Sequence, residues 1–336
     1  MSTFPEQDPL IPELSNPHLE SSLTAEEILS AAHGHFPSTI LDLTPPEDLA
    51  DRPLFQSFAE PYPPLPWAVR IPNFGHFAIV AILALGGLSS AGLLTRVALH
   101  FHLFGISDPQ KALTDIHYTL GSMAVLYLIT FAASLIVFPI LWRKSLFAGL
   151  QWNAATALRL RTPLFGAAFA CFVLAIVDEL VLPGPTNAPI DKLFQTTTDA
   201  WMLFAFGVTF APFFEEILFR GFLLPALCTA CDWASEHFVG EPARPLGENG
   251  HPQWSISAMI VGSILTSIPF ALMHAEQTSY SLGPFALLVC VSLILCWARL
   301  GTRSLAASVL VHASYNLLLF SIMLLGTGGF RHLDKM

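Results

Sequence analysis

From residue 74 onward the chain alternates apolar runs of about 20 residues with short polar connections, the pattern of helices crossing a bilayer. Seven runs are read: His76–Leu99, Thr119–Trp142, Pro163–Leu182, Trp201–Leu227, Ile256–Met273, Pro284–Trp297 and Ser304–Leu325. The sixth is short for a span. Between the second and third, Ser145–Leu160 reads as an amphipathic interfacial segment, with an eighth, weaker span as the alternative. In lipid each spanning segment must satisfy its own backbone, so the expected fold class is all-α: a polytopic membrane helix bundle of seven, or eight, transmembrane helices.

Residues 1–73 break this pattern. They hold half of the chain's 26 prolines and few sustained apolar runs. Such a composition buries too little surface to offset chain entropy, so an acidic, Pro-rich, mostly disordered cytoplasmic tail is expected. A short helix over Thr24–His33 is the exception, with Thr24 as cap and Glu27 at its third position. The opening MSTFPEQDPL has neither the basic nor the apolar region of a signal peptide. The remaining divisions are 74–200, N-terminal spans with a basic connection; 201–326, the candidate catalytic core; and 327–336, a short tail.

Composition sharpens the class. The 336 residues are 53% hydrophobic and 12% charged, against about 25% charged in soluble domains. The net charge of −10 sits almost wholly in residues 1–73, where eleven acidic residues face Arg52 and Arg70. The membrane part is near neutral, so the acidity says nothing about a basic substrate. No Lys/Arg cluster is interleaved with aromatics, which argues against a nucleic-acid partner. Arg143, Lys144, Arg159, Arg161, Arg299 and Arg303 fall in two connections on one side. With the N-terminus inside, nine basic residues lie inside and five outside, Arg220 excepted, consistent with the positive-inside rule. The expected setting is a bacterial inner membrane, crossed several times, with a cytoplasmic N-terminus.

Against this apolar background a few polar residues stand out. Glu215 and Glu216 lie inside the fourth run, with Arg220 one turn on. Charge at membrane depth costs several kcal/mol, roughly 3 on insertion scales, so such residues have a partner or a task. Phe270 and His274 are four apart at the end of the fifth run, as are His312 and Asn316 in the seventh. On a helix that spacing shares a face. Lipid satisfies none of these groups, so the three helices are expected to turn them toward one interior chamber. A buried carboxylate beside an imidazole can deprotonate water, and further imidazole and amide groups can hold an oxyanion. No Ser or Cys is placed as a nucleophile beside them, which leaves water as the attacker.

Together, E-E-x-x-x-R (Glu215, Glu216, Arg220), F-x-x-x-H (Phe270, His274) and H-x-x-x-N (His312, Asn316) resemble the CAAX protease and bacteriocin-processing family, the CPBP or Abi intramembrane proteases. The resemblance covers about 201–325. It implies that Glu215 and His274 activate water, that His312 and Asn316 hold the oxyanion, and that Glu216 and Arg220 form a supporting ion pair. Phe270 would pack beside His274. It also implies a peptide or lipidated protein substrate cut near its C-terminus, with membrane lipids as surroundings.

Rival readings are an ion-coupled transporter or proton relay using the same Glu/His cluster, and a non-catalytic scaffold such as a bacteriocin-immunity protein. No cofactor is the favoured expectation. The alternative is a divalent ion such as zinc on Glu215, Glu216, His274 and His312, although there is no H-E-x-x-H. Cys228 and Cys231 form a lone C-x-x-C and read as small apolar filler. Pro212 and Pro269, beside the first two motifs, suggest kinks near a water-accessible cavity.

Overall fold

The computed structural model describes residues 70–182, 184, 189–247 and 251–333. Among them, seven helices are long and apolar enough to cross a membrane: α1 Phe74–His100, α2 Ile116–Trp142, α3 Arg161–Val181, α4 Thr197–Val239, α5 Ile256–Met273, α6 Leu282–Thr302 and α7 Leu305–Gly326. No strand occurs among the described residues; one isolated bridge joins Leu246 and Pro252. The protein is an all-α, multi-pass integral membrane bundle.

Polar residues at the expected chain breaks start the helices. Asn73 caps α1, its Oδ1 accepting from Gly75 and His76 N–H while His76 Nδ1 accepts from Asn73 N–H. Thr196 and Asp199 form the same reciprocal box at α4, and Ser255 caps α5. The tail expected up to residue 73 overlaps this folded unit. Arg70 is fully buried, its Nη2 donating to Glu236 Oε2 at 2.7 Å. The helix expected over Thr24–His33 lies outside the described residues.

The fourth run differs most from its expectation. α4 is 43 residues long, about 65 Å at 1.5 Å per residue and about twice the hydrocarbon thickness. Hydropathy ends near Leu227, but the helix continues because its polar residues find buried partners. Asp232 accepts from Ser255 N–H and Oγ–H, and Glu236 accepts from Arg70 and from Arg244 N–H. Cys228 and Cys231, just past the apolar run, therefore lie within α4. α6 is also longer than expected and absorbs Arg299, counted above as a loop charge but only 1% exposed. Residues 145–160 hold two short helices, Leu146–Gly149 and Ala154–Arg159, capped by Ser145 and Asn153. No eighth span occurs among the described residues.

The face of α5 explains how it seats against α4. Ala258, Gly262, Thr266 and Phe270 form one i, i+4 row and are buried. A Cβ on Gly262 would come within 2.7 Å of Cys228 Sγ, so only glycine permits this approach. Ile256, Ile260, Ile264 and Ile268 on the other side are 42–73% exposed, a lipid-facing stripe. This packing sets the end of α5, with His274, beside the middle of α4.

Candidate active site

The centre of α4 departs from α-helical winding. π-helical stretches at Phe206–Phe210 and Ile217–Leu223 flank the six-residue α segment Ala211–Glu216 that carries both glutamates. Such insertions recur at functional sites because they re-aim side chains without breaking the helix. Ala211 N–H bonds Phe206 O, five residues back. In that register the Gly207 carbonyl would belong to residue 212, a proline with no N–H. Asn316 Nδ2 supplies the donor instead, at 2.8 Å from Gly207 O.

Six of the seven candidate residues meet. Glu216 and Arg220 are fully buried, and Arg220 Nη1 donates to Glu216 Oε1 at 2.8 Å. The same oxygen faces His312 Nδ1 at 2.9 Å. Arg220 Nη2 donates to Ser292 Oγ at 2.7 Å and to Ser292 O at 3.2 Å. The Phe270 ring lies under the guanidinium, 4.4 Å from Cζ, and its centroid is 5.2 Å from the His274 ring and 5.9 Å from the His312 ring. Glu215 Oε2 stands 3.8 Å from His274 Nε2 and 4.0 Å from His312 Nε2, and this buried oxygen has no hydrogen-bond donor of its own. Side-chain exposure rises from 0% at Glu216 and Arg220, through 6–7% at His312 and Glu215, to 20% at His274. The ion pair is the floor and His274 the rim.

The histidine protons follow from their partners. His274 Nδ1 faces Phe270 O at 3.0 Å and His312 Nδ1 faces a carboxylate. Both partners only accept, so each Nδ1 carries the hydrogen and each Nε2 turns to Glu215. Asn316 is the exception to convergence: its amide is bonded to Gly207 on α4, leaving one of its two N–H groups. Among the described residues, no group of three or more His, Cys, Asp or Glu is arranged to hold a metal ion. Glu216 Oε1, one of the candidate ligands, is already engaged by Arg220 and His312.

Two contacts had no clear sequence signal. Ser292, which holds Arg220, is a lone serine in an apolar run, an ordinary feature of a span. Tyr127 on α2 stacks on Phe214 at 5.0 Å between centroids and lies in the electrostatic neighbourhood of Glu215. It thus brings one of the first three spans to the site. Pro212 sits between the two π-helical stretches, and Pro269 lies inside α5, immediately before Phe270, where the buried row ends.

Residues 197–318 match the model of a family described as type II CAAX prenyl endopeptidase Rce1-like. No curated protein and no solved structure matches the chain. The matched stretch runs from the start of α4 into α7 and contains every residue of the cluster. Over this segment the chain is similar to the CAAX protease (CPBP) family, the same family its three sequence motifs resemble.

Proposed function

We propose that the protein hydrolyses a peptide bond near the C-terminus of a membrane-associated protein or lipidated peptide, with water activated by Glu215 and His274. The observation that carries this reading is the unpartnered Glu215 Oε2 facing two imidazole Nε2 atoms across 3.8 and 4.0 Å. These separations are too long for direct hydrogen bonds and suit one water among the three atoms, donating to Glu215 Oε2 and His274 Nε2. Glu215 would take the water's proton as its oxygen attacks the carbonyl carbon, and His274, on the rim, would relay that proton from Glu215 to the leaving amine as the C–N bond breaks. In the oxyanion role, His312 needs an N–H at both ring nitrogens: one for Glu216, one for the substrate oxygen. Asn316 would contribute its second N–H. Arg220 keeps Glu216 aimed at His312.

The reading requires no metal. In orientation it places the 143–160 connection and Arg303 on the cytoplasmic side of a bacterial inner membrane, by the basic-residue count.

The decisive experiment compares membrane-protein C-termini in cells carrying wild-type protein or Glu215→Gln. It is repeated with purified full-length protein on a prenylated peptide ending in a CAAX sequence. The expected result is a set of shortened C-termini lost in Glu215→Gln at equal protein abundance. Ion-coupled flux that changes while no peptide is cut would favour a transporter. Cleavage that survives exhaustive chelation is also expected. Loss restored by zinc would reassign Glu215, His274 and His312 as metal ligands.

A further inference from the structure

A second polar site lies away from the catalytic cluster, where the 143–153 connection, the end of α6 and the loop before α5 meet. It is a cavity of about 1060 Å³ whose lining includes Lys144, His251, Arg299, Arg303, Trp152 and Trp254. No Asp or Glu is among its described lining residues.

Arg299 makes this cavity more than a basic surface. Its side chain is buried, at 1% exposure. Nε donates to Arg220 O at 3.2 Å and Nη2 to Leu150 O at 3.3 Å, while Nη1 has no partner. The other described arginines that are buried or half-buried are neutralised: Arg70 by Glu236, Arg220 by Glu216, Arg244 by Glu241 and Asp232. Arg299 has no carboxylate within ion-pair distance among the described residues. A guanidinium taken out of water without a counter-ion is strongly disfavoured, and two neutral carbonyls compensate only part of the loss.

We infer that this cavity binds a phosphate group, that of an anionic phospholipid, with Arg299 as its buried anchor and Lys144 and Arg303 at its mouth. The guanidinium fork matches phosphate oxygens, and its free Nη1 is the donor left for one. The volume is far larger than an inorganic phosphate needs. Trp152 and Trp254 line it beside the cations, a pairing that suits a headgroup joined to a glycerol backbone at the membrane interface. The bond from Arg299 to the Arg220 carbonyl ties the site to the ion pair under His312, so occupancy would also steady the catalytic floor. The binding itself does not depend on the proteolytic reading.

The test uses full-length protein in a zwitterionic detergent. Thermal unfolding is followed while short-chain phosphatidylglycerol, the matching diacylglycerol or inorganic phosphate is added. The expected result is a saturable upward shift with phosphatidylglycerol, weaker with inorganic phosphate and absent with diacylglycerol. The double variant Lys144→Ala/Arg303→Ala, on exposed rim positions, should weaken the phosphatidylglycerol response at least about tenfold. Arg299→Lys should weaken it further if it folds. An equal response to inorganic phosphate would overturn the lipid source. An equal response to diacylglycerol, an unchanged double variant, or no shift with any ligand would overturn the site. Each result is read without any protease assay, so loss of the cleavage reading would leave this one standing.

Discussion

Glu216 holds His312 through one carboxylate oxygen, at 2.9 Å from Nδ1, and the same oxygen accepts from Arg220. The pair is wholly buried and spans α4 and α7, so it both joins helices and fixes which ring nitrogen of His312 turns to Glu215. Glu216→Gln keeps the shape but leaves Arg220 buried without its carboxylate. Breaking a buried pair in this way costs about 3–5 kcal/mol. The expected outcome is a lowered unfolding midpoint together with lost activity. Arg220→Gln should behave alike, and an undiminished midpoint in both would show the pair to be dispensable.

Glu215 is built differently. Its Oε2 accepts no hydrogen bond, so Glu215→Gln removes little that holds the fold. Loss of a general base lowers rate by roughly 10²–10⁴. Cleavage should fall by that factor while the unfolding midpoint stays at the wild-type value. The contrast between adjacent glutamates, one proposed as the general base and one as a structural anchor, is itself the readout.

The cluster was legible because Glu, His and Arg are conspicuous in an apolar run, and the i, i+4 spacings survive in the folded helices. The long α4 was not. Hydropathy reports exposure to lipid, and Asp232 and Glu236 stay helical by pairing with Ser255, Arg70 and Arg244, contacts made across the chain. Arg299 reads as a loop charge for the same reason: sequence position near a span end does not reveal that its guanidinium folds back to Arg220 O. The π-helical stretches also left no trace in composition. Pro212, with its missing N–H, suggested a kink there but not this winding.

That missing N–H gives a coupled prediction. Asn316→Ala leaves the Gly207 carbonyl without its donor, at a cost of about 1 kcal/mol, typical of interhelical hydrogen bonds in membranes. Pro212→Ala restores a backbone N–H that can serve Gly207 once the turn relaxes. In a double-mutant cycle, Asn316→Ala should therefore cost less stability in the Pro212→Ala background than in the wild type. Additive costs would show that Asn316 and the proline turn are independent. Activity need not follow stability here, since the second N–H of Asn316 is assigned to the oxyanion.

His251, outside the spans, gives the pH prediction. Burial lowers its pKa below the ordinary value, reinforced by Lys144 and Arg299, and hydrogen bonds to the Ile71 and Ala148 backbone offset part of the effect. A histidine whose folded pKa is depressed is favoured as the neutral form. Its contribution to stability is complete above the unfolded value of about 6.5 and is lost as pH falls through and below it toward the folded pKa. Wild-type protein should lose unfolding midpoint between pH 7.5 and 5.5 more steeply than His251→Gln, which has no proton to take up. Measured in detergent free of anionic lipid, equal slopes for the two proteins would remove His251 as a source of the acid sensitivity.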